Sequence, residues 1–97
     1  DIHWSLGAIG YFPTYTLGTL MSVQLWNAAD ADLGGLDAQM AAGDFAPLLG
    51  WLREHVHRWG RAKTADAILR DATGSSLDAA PWLAYAEAKV TRLYRLR

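Results

Sequence analysis

The chain has 97 residues, enough for one hydrophobic core and too few for two. Hydrophobic residues make up 52% and the formal charge is -1, which excludes a disordered chain and argues against a general nucleic-acid binder. With no cysteine, disulfides and thiolate metal sites are excluded and a cytoplasmic setting is expected; neither a membrane span nor a signal peptide is expected either.

Residues 1–13 read as a loop with turn chemistry. Gly7 and Gly10 permit positive φ, and Pro13 suits a first helical turn while biasing Phe12 towards extended backbone. The first helix is expected from about Thr14 to Asp30, with Leu17, Leu20, Met21, Gln24, Leu25, Ala28 and Ala29 recurring at three- and four-residue spacing. Val23 and Trp26 widen the apolar surface, so burial on more than one side is expected. Gly18 inside this helix points to a close backbone approach by another helix or a ligand, since it costs about 1 kcal/mol relative to alanine.

Asp30, Asp32, Gly34 and Gly35 read as a break. A short helix over Leu36–Ala42 ends at Gly43. Asp44 is expected to cap the next helix, with Pro47 in its first turn, Leu48, Leu52, Val56 and Trp59 on its inner face, and Gly60 as its stop. Thr64 caps a fourth helix that holds Ile68 and Leu69 and ends at Gly74. Asp78 caps a fifth, with Trp82, Ala86, Val90 and Leu93 along one stripe. Its last turns carry Lys89, Arg92, Arg95 and Arg97, cations placed favourably against the helix dipole. No strand alternation or internal repeat is present, so the expected class is all-α with about five helices.

Three groups of residues invite a chemical reading. His55 and His57 are two apart on a helix, so their rings diverge by about 200° and cannot share a metal as an i, i+4 pair could. His55 is expected at the edge of the core and His57 on the polar face. Asp30, Asp32, Asp37 and Asp44 lack the alternating ligands and closing glutamate of a calcium loop, so capping and solvation explain them better. The opening stretch differs, because His3, Tyr11 and Tyr15 place ionisable or donor groups where glycines allow close approach. A tyrosine hydroxyl keeps its proton at neutral pH and is suited to stabilising a developing oxyanion.

Asp1-Ile2-His3-Trp4 resembles the end of the Gly-x-x-Gln-Asp-x-His-Trp motif of the carboxypeptidase Taq family, the thermostable zinc carboxypeptidases. Gly10-Tyr11-Phe12-Pro13-Thr14-Tyr15-Thr16-Leu17-Gly18 is similar to the segment that follows it there. Trp51-Leu52-Arg53-Glu54-His55-Val56-His57-Arg58 and Ala72-Thr73-Gly74 resemble the family's C-terminal helices in order and spacing.

The resemblance implies a helical, zincin-like metallopeptidase, usually a homodimer, that removes residues one at a time from peptide C-termini. It implies a zinc ion held by a His-Glu-x-x-His helix and a later glutamate, a pattern this sequence does not contain. Residues 1–97 are therefore expected to be a single helical C-terminal segment of such an enzyme, binding no metal of its own and inactive alone. By the same resemblance His3 and one of Tyr11 or Tyr15 fall on the oxyanion and substrate side, with Asp1 and Trp4 orienting His3 or lining the pocket. The opening at Asp1 rather than at methionine fits a piece of a longer polypeptide. Five tryptophans in so short a chain likewise suggest surface meant for a partner. The rival reading is a stand-alone helical interaction module whose tryptophans and glycine-rich loop form a partner groove. A third is a metal site built on His55 and His57.

Overall fold

Pro13 opens the longest element, where its missing N–H would have had no partner and its fixed φ suits the first turn. The computed structural model describes residues 2–95. Its helices are α1 (Ile2–Ser5), α2 (Pro13–Leu33), α3 (Leu36–Ala41), α4 (Ala46–His55), α5 (Ala65–Thr73) and α6 (Ala80–Tyr94), with a 3₁₀ turn at His57–Trp59. The all-α expectation holds, and α1 is a helical turn inside the stretch read as loop. α2 is the spine, in contact with α3, α4, α5 and α6.

The core gathers at the C-terminal half of α2. Ala29 and Leu36 are fully buried beside Trp51, with Leu25, Leu48, Leu52 and Val56 packed around them. Burying a leucine completely contributes roughly 1.5–3 kcal/mol. Polar groups fix the geometry here. Asp30 Oδ1 accepts from the Leu36 backbone N–H at 2.8 Å. The Trp51 indole N–H donates to Asp32 Oδ2 at 2.7 Å. Gln24, only 5% exposed, donates to Ser75 Oγ and the Ser76 carbonyl and accepts from the Asp78 backbone N–H. One side chain thus ties the α5–α6 connection to α2.

Several boundaries differ from those read in the sequence. α2 runs past Asp30 to Leu33, and the break falls at Gly34 and Gly35, both at positive φ. The aspartates do not interrupt the helix because their carboxylates find partners on α3 and α4. α4 ends at His55 and tightens into the 3₁₀ turn before Gly60 (φ 48°). Its most buried residue is Trp51, outside the predicted stripe, drawn inward by its bond to Asp32. The approach expected at Gly18 is not found: a Cβ there would meet nothing within 4 Å, because the packing of α3–α5 lies further along α2.

The predicted cap of α5 is present: Thr64 Oγ1 accepts from the Ala67 N–H, and Gly74 (φ 77°) closes the helix. Asp44 and Asp78, expected to cap the helices that follow them, each stand one residue before the N-cap, which is Phe45 in α4 and Ala79 in α6. Asp78 Oδ1 still accepts from the Ala80 N–H at the start of α6. Along α6, Trp82 and Ala86 are half-buried, but Val90 and Leu93 are 44% and 62% exposed. The radius of gyration is 16.1 Å, against roughly 13 Å for a compact domain of about 100 residues. The helices are spread rather than closed on one another. No described helix is long and apolar enough to cross a membrane.

Candidate functional site

The opening turn and the start of α2 meet in an aromatic cluster. α1 hands the chain to Gly7 and Gly10, both at φ 75°, a conformation with little steric cost only for glycine. The chain then doubles back so that residues 11 and 12 return to His3. At this corner Thr14 donates twice to the Tyr11 carbonyl, from its backbone N–H at 3.2 Å and from Oγ1 at 2.6 Å. Phe12 sits at φ -62°, ψ -34°, helical rather than extended as its place before Pro13 predicts. These bonds and the ring contacts outweigh the steric bias.

His3 stacks on Tyr11, with ring centroids 5.4 Å apart and planes 16° from parallel. The Phe12 ring is tilted 58° against His3, with centroids 4.4 Å apart. Tyr15 meets Tyr11 edge-on at 5.4 Å and 85°, a geometry favoured by the ring quadrupoles. The Tyr15 hydroxyl donates to Tyr11 Oη at 3.1 Å. That bond, followed by the repulsion of a neighbouring phenolate, raises the Tyr15 hydroxyl above its ordinary value, near 10 for tyrosine. His3 is half-buried, while Tyr11 and Tyr15 are 45% and 58% exposed. Protonated hydroxyls at an open surface can donate to an oxygen that gains negative charge.

The structure therefore brings His3, Tyr11 and Tyr15 together. Trp4 stands 69% exposed on α1 and has no ring contact with the cluster among the described residues. Asp1 lies outside the described residues. Phe12 is a member that residue chemistry did not single out, since its ring carries no polar group; its place between the tyrosines was the available signal.

The other candidates separate. His55 stacks on Trp51 at 4.5 Å and 27° and is half-buried, whereas His57 is exposed on the 3₁₀ turn. Among the described residues, no three His, Cys, Asp or Glu side chains gather as a metal site. The basic end of α6 remains solvated, with Lys89 bonded to the Tyr85 hydroxyl. An open groove of about 810 Å³ lies between α2 and α6, lined by Trp26, Trp82, Tyr85 and Arg92 among others.

The sequence profile of the carboxypeptidase Taq (M32) metallopeptidases matches residues 1–90. The chain belongs to this family. It is 43% identical over 94 residues to the thermostable carboxypeptidase 1 of Thermus thermophilus, covering 97% of this chain and 18% of that protein. Against the thermostable carboxypeptidase 1 of Pyrococcus furiosus the identity is 42% over 89 residues, covering 92% and 18%. The crystal structure of the M32 carboxypeptidase from Deinococcus radiodurans superposes with a TM-score of 0.93 at 44% identity, over 99% of this chain and 20% of that one. The chain thus spans about a fifth of the length of these M32 relatives.

Proposed function

We propose that this chain is the part of a zinc-dependent metallocarboxypeptidase that supplies substrate-binding and oxyanion-side groups. The observation that carries the reading is the His3–Tyr11–Tyr15 cluster, with two linked hydroxyls at an open surface. In this role the cluster contacts the C-terminal stretch of a peptide and donates to the carbonyl oxygen as it becomes tetrahedral. Trp4, exposed beside it, offers apolar surface to the substrate, and Asp1 belongs with His3 as the group that orients the imidazole.

Zinc does not fit this chain's own side chains. Its three histidines stand on separate elements, one in the aromatic cluster, one stacked on Trp51 and one on the 3₁₀ turn. In this reading the ion is held by the remainder of the parent polypeptide, which is also the chain's first partner. A homodimer of the full-length enzyme completes the assembly. Exposed apolar faces support the need for cover: Leu6 and Ile9 near the site, Leu83 and Leu93 on α6. A stand-alone module would be expected to close its core more fully than a radius of gyration of 16.1 Å allows.

The test is peptide hydrolysis followed by release of the C-terminal amino acid. The 97-residue chain with added zinc should release none, while the full-length polypeptide carrying it should. In that polypeptide, removing a hydroxyl that donates to the oxyanion should lower kcat by about 10²–10³ with little change in KM. Hydrolysis by the isolated chain, or unchanged kcat in both Tyr11→Phe and Tyr15→Phe, would sink the reading.

A further inference from the structure

We propose that Tyr15 is a positioning residue for Tyr11: its hydroxyl, 3.1 Å away, donates to Tyr11 Oη and so leaves the Tyr11 proton as the one aimed at the peptide oxygen. The inference rests on the oxyanion reading above and divides its work between the two tyrosines.

A phenol has one proton to donate, and its oxygen accepts through lone pairs. Tyr15 spends its proton on Tyr11, so it has none left for substrate while the pair is intact. Tyr11 receives that bond on its oxygen and keeps its own O–H. Hydrogen bonds in a chain polarise one another, so an accepted bond makes Tyr11 the stronger donor of the two.

The rings enforce this division. Tyr11 is held on its face by His3, 16° from parallel, and at its side by the edge-on ring of Tyr15. Its backbone is pinned by the two bonds from Thr14. Tyr15, on the first turns of α2, has a helical backbone on which to hold its hydroxyl in place. The raised proton affinity of Tyr15 follows from the same geometry, since its ionised form could not donate to Tyr11.

Two measurements on the full-length polypeptide test the assignment. In kinetics, Tyr11→Phe should cost about 10²–10³ in kcat, and Tyr15→Phe about tenfold, the worth of one neutral hydrogen bond. The double variant should be no slower than Tyr11→Phe, because Tyr15 acts only through Tyr11. In the second measurement, tyrosine Cζ signals are followed by NMR through alkaline pH. Tyr15 should ionise above the ordinary range in the wild type and fall back towards about 10 in Tyr11→Phe.

A Tyr15→Phe loss that equals or exceeds that of Tyr11→Phe overturns the assignment, as does a double variant whose losses multiply. An unchanged Tyr15 titration in Tyr11→Phe also overturns it, whatever the kinetics show. These failures leave the oxyanion reading standing, whereas wild-type kcat in both single variants removes both.

Discussion

The two ends of α2 live in different surroundings. At its C-terminal end Ala29 is fully buried, Asp30 and Asp32 are bonded to α3 and α4, and Gln24 holds the α5–α6 connection. At its N-terminal end Tyr15 and Leu17 are 58% and 47% exposed, and Gly18 has open space beside it. One end is packed by this chain's own helices, and the other carries the aromatic cluster on a surface left open. The contrast teaches that the chain stabilises itself at the end remote from the proposed site. On the proposed function, a substitution should read out in stability at one end and in catalysis at the other.

The largest break of that pattern is expected from Trp51→Ala. It removes a buried ring and leaves the Asp32 carboxylate without its indole donor, so stability should fall by about 3–5 kcal/mol in urea unfolding. The next is Gln24→Ala, which leaves the Asp78 N–H and the Ser76 carbonyl without their partner. A loss of about 1–3 kcal/mol is expected, with hydrogen exchange at Asp78 accelerating first.

Gly18→Ala should act in the other direction. With no atom in the way of a Cβ, it should stabilise the 97-residue chain by about 0.5–1 kcal/mol in thermal unfolding. A loss of stability there would mean that the open end is less open than the structure shows. Smallest is the effect of alkaline pH on the cluster. Because Tyr15 holds its proton more tightly when folded, its contribution is complete below the ordinary tyrosine value of about 10 and is lost as pH rises through the raised one. Near-ultraviolet circular dichroism of the cluster should follow that loss while the helical signal stays constant.

What the sequence made legible divides along the same line. Thr64, Gly74 and Gly43 announce helix ends by local chemistry, and the ends fall at or beside them, whereas α4 stops at His55, short of the Gly60 read as its end. Asp30 and Asp32 look like a break because short acidic side chains favour caps and turns. Their partners, the Leu36 N–H and the Trp51 indole, lie 6 and 19 residues further on. Trp51 for the same reason is missing from the inner face read for its helix. At the site, His3, Tyr11 and Tyr15 could be named from residue type and the resemblance to M32 enzymes. Their stacking could not, because it depends on Phe12 turning helical against the bias imposed by Pro13.

The Gln24 clip also bears on the order of assembly. It joins residues 54 apart in the chain, whereas the Thr64 cap spans three. Contacts of large sequence separation require the intervening chain to be closed first, and local contacts do not. In stopped-flow folding, Thr64→Ala should slow refolding, and Gln24→Ala should mainly speed unfolding. That outcome would place the formation of α5 before the barrier and the fastening of the α5–α6 connection to α2 after it.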